Sequence, residues 1–164
     1  MHDLSLYLLD ILENSVRAGA QTIAVSIAAD RRAGTLTIGV EDDGPGLPVT
    51  PDEALDPFFT TKKGKKTGLG LSLFRQAAEA AGGGLSVSRS KDLGGVAVQA
   101  WMDLANVDRP PLGDVATTIA MMVVTNPEVD LSVAVVDGDE HLRLRGEQLP
   151  ERLPDLVACQ EALE

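Results

Sequence analysis

Two polar residues near the start of the chain have the types and spacing to handle a metal-bound phosphate. Asp10 and Asn14 are four residues apart in a stretch with helical periodicity, which places them on one helix face. The carboxamide oxygen of Asn14 suits Mg²⁺, a hard cation that prefers oxygen ligands. The Asp10 carboxylate could orient or deprotonate an attacking water. Taken alone, such a pair is more often a polar stripe on a surface helix.

A second group follows directly on a predicted strand and reads Asp42-Asp43-Gly44-Pro45-Gly46. The glycines Gly44 and Gly46 let the backbone turn and let a flat ligand approach it closely. A carboxylate at the strand end, that of Asp42, can accept a hydrogen bond from an exocyclic amine such as that of adenine. The alternative is an ordinary hairpin turn, in which Asp-Gly is a common dipeptide.

A third group is a glycine-rich turn that opens a helix. The backbone N–H groups at a helix start, here those of Gly68, Leu69 and Gly70, can bind an anion, and Thr67 adds a hydroxyl. Positive charge precedes the turn in a cluster of four lysines: Lys62, Lys63, Lys65 and Lys66. The spacing differs from the Walker-type loop, which needs Gly-Lys-Ser/Thr after four intervening residues. We therefore expect a different phosphate-binding loop.

The elements that must position these groups follow from hydrophobic periodicity and turn residues. The pattern predicts helices at 4–18, 69–81, 114–124 and 151–163. It predicts strands at 22–29, 35–41, 85–90, 95–103, 131–136 and 141–145, the last two joined at Asp137-Gly138. Residues 48–67, rich in proline and acids, are expected to be a loop without regular structure. Because helices and strands mix without regular βαβ alternation, we expect a two-layer α+β sandwich, with a mixed sheet and helices on one face.

The composition narrows the class of protein. The chain of 164 residues carries a formal charge of −11, which disfavours a nucleic-acid partner. We expect a protein outside the membrane and in the cytoplasm, because no apolar run approaches the roughly 20 residues of a membrane span and no signal-peptide pattern is present. The single cysteine, Cys159, cannot form an internal disulfide. After residue 105 the composition becomes more acidic. Residues 106–164 hold twelve acidic and four basic side chains, and we expect a small acidic extension there.

Together, the motifs of residues 4–103 resemble the GHKL superfamily, the ATPases of DNA gyrase, MutL, the heat-shock chaperones of that class and histidine kinases. Residues 12–15 (Leu-Glu-Asn-Ser) with 18–20 (Ala-Gly-Ala) resemble the N-box of MutL, and residues 42–47 are similar to the first Gly box. Residues 57–62 look like the F-box of histidine kinases, and residues 67–71 look like their second Gly box. The resemblance implies the Bergerat-type ATP-binding fold, with Mg²⁺ and ATP or ADP as ligands.

The resemblance also implies a role for each matching residue. Asn14 would bind Mg²⁺, Asp42 would bind adenine, and Asp10 would stand where gyrase and MutL carry a hydrolytic Glu, on a shorter side chain. The remaining contacts to the nucleotide would come from Arg17, at the place of a phosphate-facing lysine, from Gly44 and Gly46, and from Lys62, Thr67, Gly68, Leu69 and Gly70. Val96 departs from the pattern, because histidine kinases usually carry a Thr there.

Three functions remain open at this stage. The chain is a stand-alone ATP-binding regulator that hydrolyses or senses ATP, a kinase that phosphorylates a His or Ser of a partner protein, or a non-catalytic scaffold. His2 lies too close to the N-box to accept the γ-phosphate of ATP bound to the same chain. His141 falls in a predicted strand, and we expect it to be a structural or surface residue. Residues 108–114 and the small size look similar to short GHKL proteins encoded near iron-only hydrogenase genes. We expect a protein partner and consider a homodimer.

Overall fold

The computed structural model describes residues 3–47, 50–56 and 69–164, with Leu69 described by its backbone alone. Over these ranges the α-helices are α1 (Leu4–Arg17), α2 (Pro51–Leu55), α3 (Leu69–Ala80), α4 (Val115–Thr125) and α5 (Leu149–Ala162). The strands are β1 (Thr22–Asp30), β2 (Thr35–Asp42), β3 (Gly84–Arg89), β4 (Val96–Asp103), β5 (Asp130–Asp137) and β6 (Glu140–Arg145). A short 3₁₀ turn, Gly146–Gln148, leads into α5.

The strands form a single six-stranded sheet in the order β3-β4-β2-β1-β5-β6. Neighbouring strands run antiparallel except β1 and β5, which are parallel. The sheet is therefore mixed, as predicted.

The core lies between the sheet and the helices. Along β1 the side chains of Ile23, Val25 and Ile27 are buried, and the residues between them are more accessible, so one face of the sheet carries most of its apolar residues. Helix α1 presents Leu8 and Leu12 to this core, each at most 1% exposed. Full burial of a leucine side chain contributes about 1.5–3 kcal/mol. This arrangement confirms the predicted α+β sandwich of a mixed sheet and a helical layer.

The acidic C-terminal segment continues the same sheet. Strand β5 pairs in parallel with β1, with Thr22 opposite Asp130 at the start of the register. Arg31, in the turn after β1, donates to both carboxylate oxygens of Asp137 at 2.9 Å and to the carbonyl of Ala162 at 3.0 Å. These contacts join the β1–β2 hairpin to the end of β5 and to α5. A domain boundary near residue 105 stays a prediction.

One prediction about secondary structure is wrong. Residues 48–67 were expected to lack regular structure, but Pro51–Leu55 form a short helix among the described residues of this range. Thr50 caps it: the backbone N–H of Glu53 donates to the Thr50 hydroxyl at 3.2 Å, and the Glu53 carboxylate accepts from the Thr50 backbone at 3.1 Å. This reciprocal capping box satisfies two N–H groups at the helix start, which stabilises a helix in a proline-rich stretch.

Two residues with reactive side chains lie in the C-terminal part of the fold. His141 is exposed on β6, and Cys159 of α5 is half-buried against the core. Burial, followed by the nearby carboxylates of Glu140, Asp155 and Asp137, raises the pKa of the Cys159 thiol. A thiol with a raised pKa is a poor nucleophile at neutral pH, so Cys159 has the character of a packing residue.

Candidate functional site

Helix α1 brings the first group of predicted residues to the surface of the core. The side chain of Asp3 caps the helix by accepting from the backbone N–H of Leu6 at 3.1 Å. Leu8, Leu12 and Ser15 lie on the buried face. Asp10 and Asn14 flank that face and are half-buried. The helix therefore holds their carboxylate and carboxamide at the border between core and solvent.

Asp42, the last residue of β2, has a buried carboxylate, and its Oδ1 atom accepts two hydrogen bonds from the protein. Its Oδ1 accepts hydrogen bonds from the backbone N–H groups of Gly44 and Val96, each at 3.0 Å. Its Oδ2 accepts from the hydroxyl of Ser15 at 2.7 Å. The Asp42 residue is only 4% exposed. These three hydrogen bonds fix the orientation of a carboxylate that is shielded from water.

The loop between β3 and β4 holds Asp42 from the opposite side. The backbone N–H of Gly95 donates to the Asp42 carbonyl at 2.9 Å, and the Ser90 hydroxyl donates to Oε1 of Glu41 at 2.8 Å. A Cβ atom on Gly95 would lie 2.2 Å from Oδ1 of Asp42 and 2.6 Å from the backbone nitrogen of Gly44. Any side chain at Gly95 would therefore displace the turn that positions Asp42.

The two glycines of the Asp42–Gly46 turn have different roles. Gly46 adopts a φ of 90°, a left-handed conformation that glycine adopts at no steric cost. Gly44 has an ordinary φ, and a Cβ there would lie 3.3 Å from Oδ1 of Asp42. Asp43 fixes the turn to the start of β1, since its carboxylate accepts from the backbone N–H groups of Gln21 and Thr22 at 2.8 and 2.9 Å. These hydrogen bonds, chiefly that of Thr22, lower the pKa of Asp43.

Helix α3 meets α1 at Asp10. A Cβ atom on Gly70 would lie 1.7 Å from Oδ2 of Asp10, so the absence of a side chain at Gly70 permits the contact. Farther along the same helix pair, the rings of Tyr7 and Phe74 stack with centroids 4.9 Å apart and planes 2° from parallel. The first turn of α3 therefore packs against the polar border of α1.

The environment of Asp10 favours its neutral form. Burial is the main cause that raises its pKa, and the charge of Glu13 raises it further, whereas Arg17 lowers it. A carboxylate with a raised pKa is a better base than an exposed one. The position of Asp10 against the start of α3 suits a group that acts on a ligand bound at that helix terminus.

Asn14 and Arg17 contact each other. The Arg17 guanidinium donates to the carboxamide oxygen of Asn14 at 3.2 Å and lies 3.5 Å from Oε2 of Glu13. This Asn14 oxygen is the atom that would ligate Mg²⁺. A cation bound there would repel the positively charged guanidinium of Arg17, which could then turn toward a phosphate.

Some of the predicted site residues lie close together, and others lie outside the described residues. Asp10 contacts Gly70, Gly44 contacts Asp42, and Asn14 lies on α1 between Asp10 and Ser15, which bonds to Asp42. Lys62, Thr67, Gly68 and the Leu69 side chain lie outside the described residues.

Ser15 and Gly95 were not assigned a role from the sequence. Ser15 stands next to Asn14 in the N-box, and a serine on the apolar face of a helix is a signal that could have identified it. The sequence pattern places Gly95 only at the start of the strand predicted at 95–103.

The oxygen donors of this region suit Mg²⁺ bound mainly through a ligand. Mg²⁺ usually takes one or two protein oxygens and completes its octahedron with phosphates and waters. Asn14 supplies one such oxygen. Over residues 3–47, 50–56 and 69–164, no three His, Cys, Asp or Glu side chains cluster as a metal site would require. The single carboxamide oxygen of Asn14 would fit a Mg²⁺ that takes its other ligands from phosphate and water.

A separate groove of about 440 Å³ lies at the other end of the molecule, between the β5–β6 hairpin and α5. None of the predicted site residues that the structure describes lines it. Two of its carboxylates, Asp137 and Asp155, pair with Arg31 and Arg152, whereas Glu140 and His141 also line it. The groove is therefore distinct from the region around Asp42.

Comparison with known proteins identifies the family. The sequence model of the family described as histidine kinase-, DNA gyrase B-, and HSP90-like ATPases matches residues 2–106. The chain belongs to this family of ATPase domains, which confirms the resemblance seen in the motifs.

Two curated relatives are bacterial sensor proteins. The chain is 37% identical over 84 residues to the sensor protein kinase PilS of Pseudomonas aeruginosa, an alignment that covers 48% of this chain and 16% of PilS. It is 34% identical over 108 residues to the sensor protein ChvG of Agrobacterium fabrum, covering 58% of this chain and 17% of ChvG. The chain thus matches a small part of each relative.

A solved structure, the N-terminal domain of a DNA repair protein, shares the fold over 92% of this chain and 55% of its own length. Its TM-score is 0.56 and its sequence identity is 13%. At this identity the likeness concerns the fold alone.

None of the helices in the described parts of our chain combines the length and the apolar character that a membrane crossing requires.

Proposed function

We propose that the chain is a stand-alone regulatory protein that binds Mg-ATP where α1 meets the end of β2 and the start of α3. The observation that carries this proposal is the double contact of α1. Asp10 of α1 packs against Gly70, and Ser15 of α1 bonds to Asp42 at 2.7 Å. Helix α1 therefore connects Asp42, which suits the adenine amine, with the start of α3, which suits the polyphosphate.

Each end of this region fits a different part of the nucleotide. Oδ2 of Asp42 would accept a hydrogen bond from the exocyclic amine of adenine, and the turn of Gly44 and Gly46 lets the base approach the backbone. The N–H groups of Leu69 and Gly70 at the start of α3 would hold the phosphates, with Lys62, Thr67 and Gly68 assigned from the sequence.

At the phosphate end, Asn14 would supply a protein oxygen to Mg²⁺, and Arg17 would face the phosphates. When bound, the cation supplies charge neutralisation to the phosphate oxygens. Asp10 would orient a water near the γ-phosphate. We propose slow hydrolysis, because the short side chain of Asp10 limits its reach.

Titration calorimetry with Mg-ATP tests the proposal. We expect wild-type protein to bind, and Asp42→Asn to lose about 1.5–3 kcal/mol, the contribution of a hydrogen bond to a charged group. Asp30→Asn is a matched control, because it makes the same charge change at the opposite end of the β1–β2 hairpin, at an exposed carboxylate that accepts from the backbone N–H groups of Arg32 and Ala33. Equal affinity of wild type and Asp42→Asn would remove Asp42 from the site.

A kinase that acts in trans is the second candidate. It is favoured by the 37% identity to a sensor protein kinase over 84 residues. Incubation of the protein with γ-labelled ATP and candidate partners distinguishes it: transfer of label to a His or Ser of another protein supports a kinase, and release of phosphate alone supports an ATPase. If no adenine nucleotide binds, the scaffold interpretation is favoured.

We further propose that a protein partner responds to the bound nucleotide. The acidic segment 106–164 extends the sheet and offers a negatively charged surface to such a partner. The resemblance to proteins encoded near iron-only hydrogenase genes suggests where to look for it. A pull-down with and without a non-hydrolysable ATP analogue should retain the partner in one condition only; size-exclusion chromatography in the same buffers tests a homodimer.

A further inference from the structure

Ser15 makes a hydrogen bond that a serine inside a helix does not ordinarily make. Such a hydroxyl commonly bonds to a carbonyl one turn earlier in its own helix. Here the hydroxyl leaves α1 and donates to Oδ2 of Asp42, which is 27 residues later in the chain and belongs to β2. Ser15 is 5% exposed and Asp42 is 4% exposed, so the bond is shielded from water.

The hydrogen bonds of Asp42 leave one direction for a ligand. Each carboxylate oxygen accepts about two hydrogen bonds. Oδ1 accepts two, from the N–H groups of Gly44 and Val96, whereas Oδ2 accepts one from the described part of the protein, that of Ser15. The second acceptor position of Oδ2 is therefore the one that a ligand amine would use, and the Ser15 hydroxyl fixes its direction.

We propose that Ser15 is a positioning residue that makes the site selective for nucleotides of 6-aminopurines. This inference rests on the proposed ATP site and deepens it. With the Ser15 bond in place, Oδ2 presents an acceptor to a donor on the base. A 6-oxopurine presents a carbonyl oxygen instead, and two acceptors repel each other. Without the Ser15 hydroxyl, the carboxylate loses a donor that holds its plane.

The other residues at this carboxylate cannot take over the role. Val96 reaches Asp42 through its backbone N–H, and its side chain has no hydroxyl. Gly44 also donates through its backbone. Within the described parts of the chain, Ser15 supplies the side-chain hydrogen bond to Asp42.

The test compares ATP with inosine triphosphate, which carries an oxygen in place of the adenine amine. Calorimetry should show that Ser15→Ala weakens ATP binding about five- to tenfold, the effect of one hydrogen bond. The affinity for inosine triphosphate should change less than about twofold, so that the ratio of the two affinities falls. Ser5→Ala is the matched control: Ser5 is also buried on α1, but its hydroxyl donates to Asp3. It should leave both affinities unchanged.

A second variant guards against misfolding. Ser15→Cys keeps nearly the same volume and replaces the hydroxyl with a weak donor, so it should reproduce the selective loss of ATP affinity. An equal loss for both nucleotides, or an unchanged ratio in both variants, would overturn the positioning role while leaving the ATP site intact. If wild-type protein binds neither nucleotide, the proposed function itself fails, and the role of Ser15 fails with it.

Discussion

Gly95 and Asp42 are joined so closely that no side chain fits between them. The Gly95 N–H donates to the Asp42 carbonyl at 2.9 Å, and a Cβ atom on Gly95 would lie 2.5 Å from that carbonyl oxygen and 2.2 Å from Oδ1. The β3–β4 loop can therefore approach the end of β2 only through a glycine. Gly95, which has no side chain, therefore helps to hold Asp42 together with the hydrogen bonds from Ser15, Gly44 and Val96.

Gly95→Ala should lower the free energy of unfolding by about 1–3 kcal/mol, the usual effect of overpacking, and should weaken ATP binding because Asp42 must shift. Urea denaturation and calorimetry measure the two effects. Gly146→Ala is the comparison: its φ is ordinary, and a Cβ there would meet the Leu131 carbonyl oxygen and the Val123 methyl groups at 3.3 Å, a tight contact but a longer one than those at Gly95, so it should destabilise less. The interpretation is wrong if both variants unfold at the same urea concentration.

Gly70→Ala should be coupled energetically to Asp10. The new methyl group would overlap Oδ2 of Asp10 in the wild-type background. In an Asp10→Ala background the overlap is gone, and the alanine should be tolerated or stabilising, since alanine favours helix over glycine by about 0.5–1 kcal/mol. A double-mutant cycle by urea denaturation should give a coupling of about 1 kcal/mol or more. Additivity within about 0.5 kcal/mol, as for distant sites, would show that the two residues do not touch.

Asp10→Asn should stabilise the protein at neutral pH. Burial raises the pKa of Asp10 above that of the unfolded chain. The folded state therefore binds the proton more tightly, and the stability contributed by protonated Asp10 is lost as the pH rises through its folded pKa. The stability gained by Asp10→Asn should be present at pH 7 and should disappear below about pH 3.9, the ordinary pKa of aspartate.

Asp43→Asn is a control for that experiment, because its effect on stability at pH 7 should have the opposite sign. Hydrogen bonds from Thr22 and Gln21 lower the pKa of Asp43, so its contribution to stability is present above the unfolded pKa and is lost as the pH falls through the folded value. Asp43→Asn should therefore destabilise at pH 7 and have little effect in acid. Thermal unfolding of both variants between pH 3 and pH 7 measures the two slopes. Parallel pH profiles would contradict the assigned environments.

Asn14→Ala should remove the dependence of ATP binding on Mg²⁺ more than the recognition of adenine. Calorimetry with ATP in the presence of Mg²⁺ and of EDTA should show affinities that converge in the variant. Glu13→Ala, next to Asn14 and facing Arg17 on the exposed side of α1, should keep the wild-type difference. An equal loss with and without Mg²⁺ would show that Asn14 does not hold the metal.

Local patterns predict much of this fold. The spacing of Leu8, Leu12 and Val16 identifies α1, and Asp137-Gly138 identifies the β5–β6 hairpin, because both signals lie within a few residues of the structure they specify. The capping box of α2 was also readable as Thr50-Pro51-Asp52-Glu53. It was missed because the surrounding prolines indicated a loop.

Contacts between distant residues could not be predicted in the same way. The parallel pairing of β1 with β5 joins residues more than 100 positions apart, and no local periodicity specifies it. The bond between Ser15 and Asp42 likewise depends on how α1 lies across the sheet. The sequence therefore identified Asp42 as a candidate and marked Ser15 only as a polar residue on an apolar helix face, without showing that Ser15 and Gly95 meet Asp42.

The parallel pairing of β1 with β5 also has a consequence for anyone who shortens this chain. The family match ends at residue 106, and a fragment cut there would lose β5 and β6. Strand β1 would then end the sheet with a row of unshared peptide groups along Thr22–Asp30, an invitation to self-association. In this structure β5 covers that edge of β1, so we expect a fragment that ends at residue 106 to self-associate more than the 164-residue chain.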